Sequence, residues 1–155
     1  MLGFIRATIL VTLGAMGLAG CSSLPLGDGI TDLTLNIRVT GDANPDDTGR
    51  GSPVYLSLFE LRDTGNFEQA DYLELYRDAR ATLGGAQVDV TEIGPLFPDT
   101  SETRELRLNT ATTAVGIMGG FNRYSEMKTG ITITPEPGED MEIDVLVDSR
   151  GLHLD

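Results

Sequence analysis

Apolar and polar side chains alternate with a period of two in one short segment after another, and no other property of the chain narrows its possible folds so far. In LTLNIRV (residues 33–39), Leu33, Leu35, Ile37 and Val39 fall on one face and Thr34, Asn36 and Arg38 on the other, the pattern of a half-buried strand. In VYLSLFEL (54–61), Val54, Leu56 and Leu58 share one side, while Tyr55, Phe59 and Leu61 leave the other side largely apolar as well. That strand is expected to be covered on both faces. Strand-like segments recur as AQVDVTEI (86–93), TRELRLNT (103–110), TAVGIMGGF (113–121), GITITP (130–135), DMEIDVLVD (140–148) and GLHL (151–154). Turn-rich stretches such as GPLFPDTS and PEPGED separate them. Short strands at this spacing predict a mainly β, antiparallel sandwich rather than a βαβ fold. A content of 19 glycines and 7 prolines suits such a turn-rich domain.

One stretch breaks the pattern. NFEQADYLELYRDAR (66–80) is rich in helix formers, lacks Gly and Pro, and begins with Asn66, a suitable N-cap. Phe67, Ala70, Leu73 and Tyr76 recur at a spacing of three and predict one apolar stripe, and LGG (83–85) is a natural stop. The expectation is a single short helix inserted between strands.

The N-terminal region reads as targeting rather than fold. Arg6 precedes an uncharged run over residues 7–20, which is shorter than the roughly 20 apolar residues a membrane span needs. A charged start, an apolar middle and a small-residue exit are the order of a secretory signal peptide. Leu-Ala-Gly-Cys, ending at the chain's one cysteine, Cys21, resembles a bacterial lipobox. That resemblance implies cleavage after Gly20, a diacylglycerol on the Cys21 thiol and an acyl chain such as palmitate on the new amine. Two or more acyl chains make a stable anchor, and Ser22, where an Asp would favour inner-membrane retention, implies the outer membrane. The expected division is a signal peptide (1–20), a lipid-anchored tether (21–30) and a β-sandwich domain (31–155). A tether of this length reaches roughly 30 Å when extended. A cysteine consumed by lipid leaves nothing for a disulfide, a metal thiolate or a thiol nucleophile.

Charge and chemistry exclude more than they suggest. The chain carries 24 acidic and 11 basic residues, a formal net charge of −13, which repels phosphate backbones and argues against nucleic acid as a partner. It also argues against attachment to anionic lipid through the protein surface. The sole histidine, His153, sits in the alternating GLHL and is expected to be structural or merely exposed; one histidine cannot build a zinc site, which wants three or four ligands. GIMGGF (116–121) lacks the lysine and spacing of a phosphate loop, so its glycines are expected to permit close packing or a bulge. With no tryptophan to stack on sugar rings, a glycosidase pair among the many carboxylates is not favoured. No catalytic residue and no resident cofactor or metal is therefore assigned. The loop TGDANPDDTGRGSP (40–53) places Asp42, Asn44 and Asp46 at alternate positions, as a calcium loop begins. Its sixth position is Asp47 rather than Gly and its twelfth is Pro53 rather than Glu, so an exposed acidic turn is the favoured reading.

In the middle of the chain stands SPVYLSLFELRDTGNFEQADYLELYRD, with Ser52, Pro53, Val54, Leu58, Phe59, Leu61, Phe67, Ala70, Asp71, Tyr72 and Leu75. At those residues it resembles the early signature of the type VI secretion outer-membrane lipoprotein family, the TssJ/VasD/SciN group. Leu83–Gly84 stand at the family's Leu-Gly step, and VGIMGGFNR (115–123) resembles its Val-Gly-Val-Val-Ala-Ala-Phe-Arg strand, with Gly119 and Gly120 in place of alanines. Met127-Lys128 stand where the family has Trp-Arg. The resemblance implies a transthyretin-like β-sandwich with an added helical element and no catalytic role. It implies a body on the periplasmic face of the outer membrane that binds the periplasmic C-terminal region of a TssM/IcmF-type inner-membrane protein, alongside other core-complex subunits. The loop between the first two strands is the family's contact element, here residues 41–53 with Gly41, Asp42, Asn44, Asp46, Asp47 and Arg50. Asp42, Asp46 and Asp47 are placed to steer a basic patch on the partner, or else to solvate a mobile loop. The alternative is a periplasmic β-sandwich lipoprotein that binds a small ligand, a carbohydrate or calcium.

Overall fold

The computed structural model describes residues 32–136 and 138–155; the signal segment, Cys21 and the tether lie outside the described residues. Eight strands follow one another: β1 Asp32–Val39, β2 Val54–Leu61, β3 Gln87–Leu96, β4 Thr100–Arg107, β5 Ala114–Gly119, β6 Gly130–Ile133, β7 Met141–Asp148 and β8 Gly151–Leu154. They form two four-stranded sheets, β4-β1-β7-β8 and β3-β2-β5-β6, packed as the expected sandwich. Pairing is antiparallel throughout the described strands except between β1 and β7, which run parallel with Leu35 opposite Ile143. Alternation alone could not reveal that pair, because the period of two is the same for both strand directions.

The predicted faces are the observed ones. Leu33, Leu35, Ile37 and Val39 of β1 meet Val54, Leu56 and Leu58 of β2, Val115 and Ile117 of β5, and Ile143, Val145 and Val147 of β7 in one buried cluster. Each fully buried side chain of this kind contributes about 1.5–3 kcal/mol. The opposite face of β2 is covered too, with Phe59 and Leu61 in a second cluster with Phe67, Leu75, Leu83, Ala114 and Met118. Tyr55, at the uncovered start of that face, remains exposed. Strand boundaries moved where pairing decided them: β4 starts three residues before the expected Thr103 because Thr100 to Thr103 pair with Val39 to Asn36.

The helical insertion is where the sequence puts it, but divided into α1 (Gly65–Gln69) and α2 (Tyr72–Leu83). Ala70 is extended (φ −70°, ψ 143°), which ends α1 and resets the phase of the apolar stripe. The buried residues are consequently Phe67, Leu75 and Leu83 rather than the expected set ending in Tyr76. Asn66 is not the cap either: its amide donates to Leu83 O at 3.2 Å, tying the end of α2 back to α1. The cap of α2 is Asp71, whose carboxylate accepts the Glu74 N–H at 3.0 Å while Glu74 accepts the Asp71 N–H at 3.1 Å. The glycines of GIMGGF permit close packing as expected: a Cβ on Gly116 would lie 2.8 Å from the Phe67 ring, and one on Gly119 would lie 2.5 Å from Phe121.

Strand directions sort the connections between two ends. The chain enters β1 at one end, and eight residues at about 3.3 Å each carry it about 26 Å to the other. The loop of residues 40–53 lies at that far end, with the β3–β4 turn, the β5–β6 connection and the β7–β8 turn.

Candidate functional site

The β1–β2 loop is an ordered structure with a buried root and an exposed tip. Ala43, Asn44 and Pro45 are buried, and Asn44 is only 2% exposed despite its polarity. Its side-chain amide donates to Pro53 O at 2.7 Å and its Oδ1 accepts the Asn122 N–H at 2.8 Å, so it joins the loop to its own exit and to the β5–β6 connection. A backbone φ of +48° at Asn44 suits asparagine, one of the few residue types that visit the left-handed region readily. Ser52 N–H donates to Ala43 O at 2.9 Å, and the loop's two arms press so close that a Cβ on Gly51 would lie 2.2 Å from Gly41 O. Among the expected contact residues, then, Asn44 is spent inside the loop. Gly41, Asp42, Asp47 and Arg50 are exposed, and Asp46 is half-buried.

The tip is organised around Asp46. Its Oδ1 accepts the Thr48 hydroxyl at 2.6 Å, the Thr48 N–H at 2.8 Å and the Arg50 N–H at 3.1 Å, while its own N–H donates to Arg50 O at 2.8 Å. The Thr48 hydroxyl and then the Arg50 and Thr48 amides hold its pKa down to about 2, with a smaller contribution from the Arg50 charge. Asp42 is lowered as well, by hydrogen bonds from the Thr40 and Ser149 hydroxyls. Ser149 belongs to the β7–β8 turn, so a third connection closes on the loop.

Behind that turn lies a small charged cluster. Asp148 is nearly buried and sits 2.8 Å from Arg150 Nη2 and 3.2 Å from His153 Nε2. Burial raises its pKa, but the hydrogen bonds from Arg150 and the charges of His153 and Arg150 outweigh burial and leave it lowered. His153, expected to be structural or merely exposed, thus shares the Asp148 carboxylate with Arg150.

The donor set considered for calcium does not converge. Asp42 turns to Thr40, Asn44 turns inward to Pro53 and Asn122, and Asp46 turns into the tip. Among the described residues no three His, Cys, Asp or Glu side chains are grouped as a metal would require.

Beside the loop stands a feature the sequence did not disclose. Tyr124, on the β5–β6 connection, stacks on Tyr72 with ring centroids 4.7 Å apart, and Tyr72 stacks on Tyr76 at 5.7 Å. The column takes in three of the chain's four tyrosines, with Tyr76 68% and Tyr124 36% exposed. Burial of the central ring and the adjoining Tyr76 and Tyr124 raise the pKa of Tyr72. A Cβ on Gly120 would lie 3.6 Å from Tyr55 O and 3.9 Å from the Tyr72 hydroxyl, which sets the column next to the start of β2. An open groove of about 510 Å³ adjoins it between α2 and β6, floored by Phe67, Leu75, Met118 and Ile131. The i, i+4 spacing of Tyr72 and Tyr76 was the only sequence signal for the column.

Comparison with known proteins supplies the kinship. A search of curated protein sequences finds no match. Solved structures match well: the type VI secretion lipoprotein TssJ1 of Pseudomonas aeruginosa is 22% identical over 81% of this chain and 95% of its own, with a TM-score of 0.76. Lip of Serratia marcescens, a membrane-bound component of the type VI secretion system, is 17% identical over 83% and 99%, with a TM-score of 0.74. A chain from a structure of the TssM C-terminal domain of EAEC is 22% identical over 80% and 97%, with a TM-score of 0.67. At these identities the structures establish the shared fold. The family model described as type VI secretion lipoprotein, VasD, EvfM, TssJ matches residues 31–150, nearly all of the sandwich and its insertion. The chain belongs to the type VI secretion lipoprotein family.

Proposed function

We propose that this protein is the outer-membrane anchor of a type VI secretion trans-envelope complex. Acyl groups on Cys21 hold it to the periplasmic face of the outer membrane, and its sandwich binds the periplasmic C-terminal region of a TssM/IcmF-type inner-membrane protein. The role is that of a fixed post, with no bond made or broken.

The observation that carries this reading is the placement of the β1–β2 loop. The chain enters the sandwich at one end, and the loop stands at the other, about 26 Å along β1. A domain tethered at its point of chain entry can present the loop on its far side, where a protein crossing the periplasm can reach it. The root keyed by Asn44 gives the tip a defined shape before any partner arrives, which lowers the ordering cost of binding. Asp46, its carboxyl held down to about 2, remains ionised at periplasmic pH, and with the exposed Asp47 beside it can steer a basic surface. Family membership and the matching structures, among them one described as a type VI membrane complex, support the same assignment. Among the described residues no helix is long and apolar enough to cross a membrane; the lipid attachment rests on the Leu-Ala-Gly-Cys sequence that ends at Cys21.

The test is capture of the periplasmic region of the cognate TssM/IcmF-type protein by the full-length lipoprotein in detergent. Excising residues 42–50 would also remove the buried Ala43, Asn44 and Pro45, so the cleaner variant replaces Asp46, Asp47, Thr48 and Arg50 with Ser and Gly. Capture by the wild type and its loss in a variant that keeps the native circular dichroism spectrum supports the reading. Undiminished capture by the variant rules out the loop as the contact element.

A further inference from the structure

We propose that the tyrosine column Tyr124–Tyr72–Tyr76 is a second part of the partner-binding face, a platform that receives arginine or lysine side chains of the protein engaged by the β1–β2 loop. The inference rests on the function proposed above and extends it to residues on a different element.

Three observations converge on it. First, the rings are stacked in advance, at 4.7 and 5.7 Å, yet the two outer members leave much of their surface in solvent. Folding gains little from exposing an ordered aromatic column, whereas rigid aromatic groups are the side chains from which binding hot spots are built, because few rotamers are lost on contact. Second, the column is continuous with the loop. Asn44 accepts the Asn122 N–H, and Tyr124 follows two residues later on the same connection. A surface large enough to cover the loop tip and reach past Asn122 meets Tyr124 next. Third, the charge selects the partner. The chain carries a formal net charge of −13, so a protein that binds it with affinity presents positive charge. Glu126, two residues after Tyr124 and largely exposed, is paired with Arg123 at 3.7 Å. An exposed tyrosine ring beside such a solvent-facing ion pair suits a guanidinium best, since its plane stacks on the ring while its edge can exchange with Arg123 for the carboxylate.

A membrane surface is the other occupant that exposed tyrosines could meet. The acidic surface opposes anionic headgroups, and the column lies at the end away from chain entry, so the observations favour protein.

The experiment measures the affinity of full-length lipoprotein in detergent for the cognate periplasmic region, comparing wild type with Tyr76→Ala/Tyr124→Ala, Tyr76→Phe/Tyr124→Phe and the loop-tip variant. Tyr72 is left intact because it packs against the buried cluster beneath α2. The expected result is a loss of about tenfold in affinity for the double alanine variant and retention within about twofold for the phenylalanine variant, which keeps the ring faces. A second readout needs no substitution: nitration of Tyr76 and Tyr124 by tetranitromethane should slow in the complex. Unchanged affinity of the double alanine variant, with binding still lost in the loop-tip variant, overturns the platform while leaving the proposed function standing. No binding by the wild type overturns both. If instead the double alanine variant loses binding to phosphatidylglycerol vesicles and keeps its affinity for the periplasmic region, the column belongs to the membrane and the proposal is refuted.

Discussion

Replacing Asn44 with alanine removes two side-chain hydrogen bonds from the root of the β1–β2 loop, the 2.7 Å donation to Pro53 O and the 2.8 Å acceptance from the Asn122 N–H. Pro53 and Asn122 are themselves exposed residues, so water can replace the lost partner at each. The cost per bond is then the net value of about 1 kcal/mol rather than the larger penalty of a stranded buried group. Alanine at a φ of +48° adds about 1 kcal/mol, because asparagine tolerates the left-handed region better. The sum is about 3 kcal/mol, which for a domain of this size lowers the melting temperature by about 10 °C if the loop stays folded to the end. If the loop releases first, the loss appears locally instead. Urea denaturation and amide hydrogen exchange distinguish these routes, the second read at Asn122 and at Ser52, whose N–H donates to Ala43 O. Asn44→Asp keeps the acceptor for Asn122 but sets an anion in a buried site against the Pro53 carbonyl, so it should cost no less than Asn44→Ala. An Asn44→Ala protein with the wild-type urea midpoint and wild-type exchange at both amides would show that Asn44 does not hold the root, and the preformed loop would have to be abandoned.

Other substitutions probe the remaining parts. Gly116→Ala should destabilise by about 1–3 kcal/mol, because its Cβ would come within 2.8 Å of the Phe67 ring and push α1 from the sheet; a denaturation midpoint equal to wild type would contradict that packing. Asp46 is lowered from 3.8 to about 2, so its contribution to tip order is complete above pH 3.8 and is lost as the pH falls through 2. The amide resonances of Thr48 and Arg50 should shift across that window in the wild type and not in Asp46→Asn. Cys21→Ser should yield a folded domain absent from the outer-membrane fraction, and outer-membrane recovery of that variant would refute lipid anchoring.

The fold was legible wherever a pattern depends on near neighbours. Each face of β1 and both faces of β2 follow from a period of two, and the two-sided burial of β2 was visible because Phe59 and Leu61 spoil an otherwise clean alternation. The division of the helix was not legible. Ala70 is a good helix former, and the break there arises because Asp71 and Glu74 form a capping box that starts a new helix, a local competition that propensity alone scores as continuous. The loop was identifiable by its length and composition, while the commitment of Asn44 inward was not, because its partner Asn122 lies 78 positions away.

By itself, then, the sequence determined the β class, the two-faced second strand, the site of the helical insertion and an expected anchor at Cys21, since each is written in adjacent residues or short periods. Tertiary structure alone decided the parallel pairing of β1 with β7, the locking of the loop onto the β5–β6 connection, and the assembly of Tyr124, Tyr72 and Tyr76 into one column. Those three depend on contacts between segments far apart along the chain. Their free energy becomes available only when the core has formed and brought the segments together.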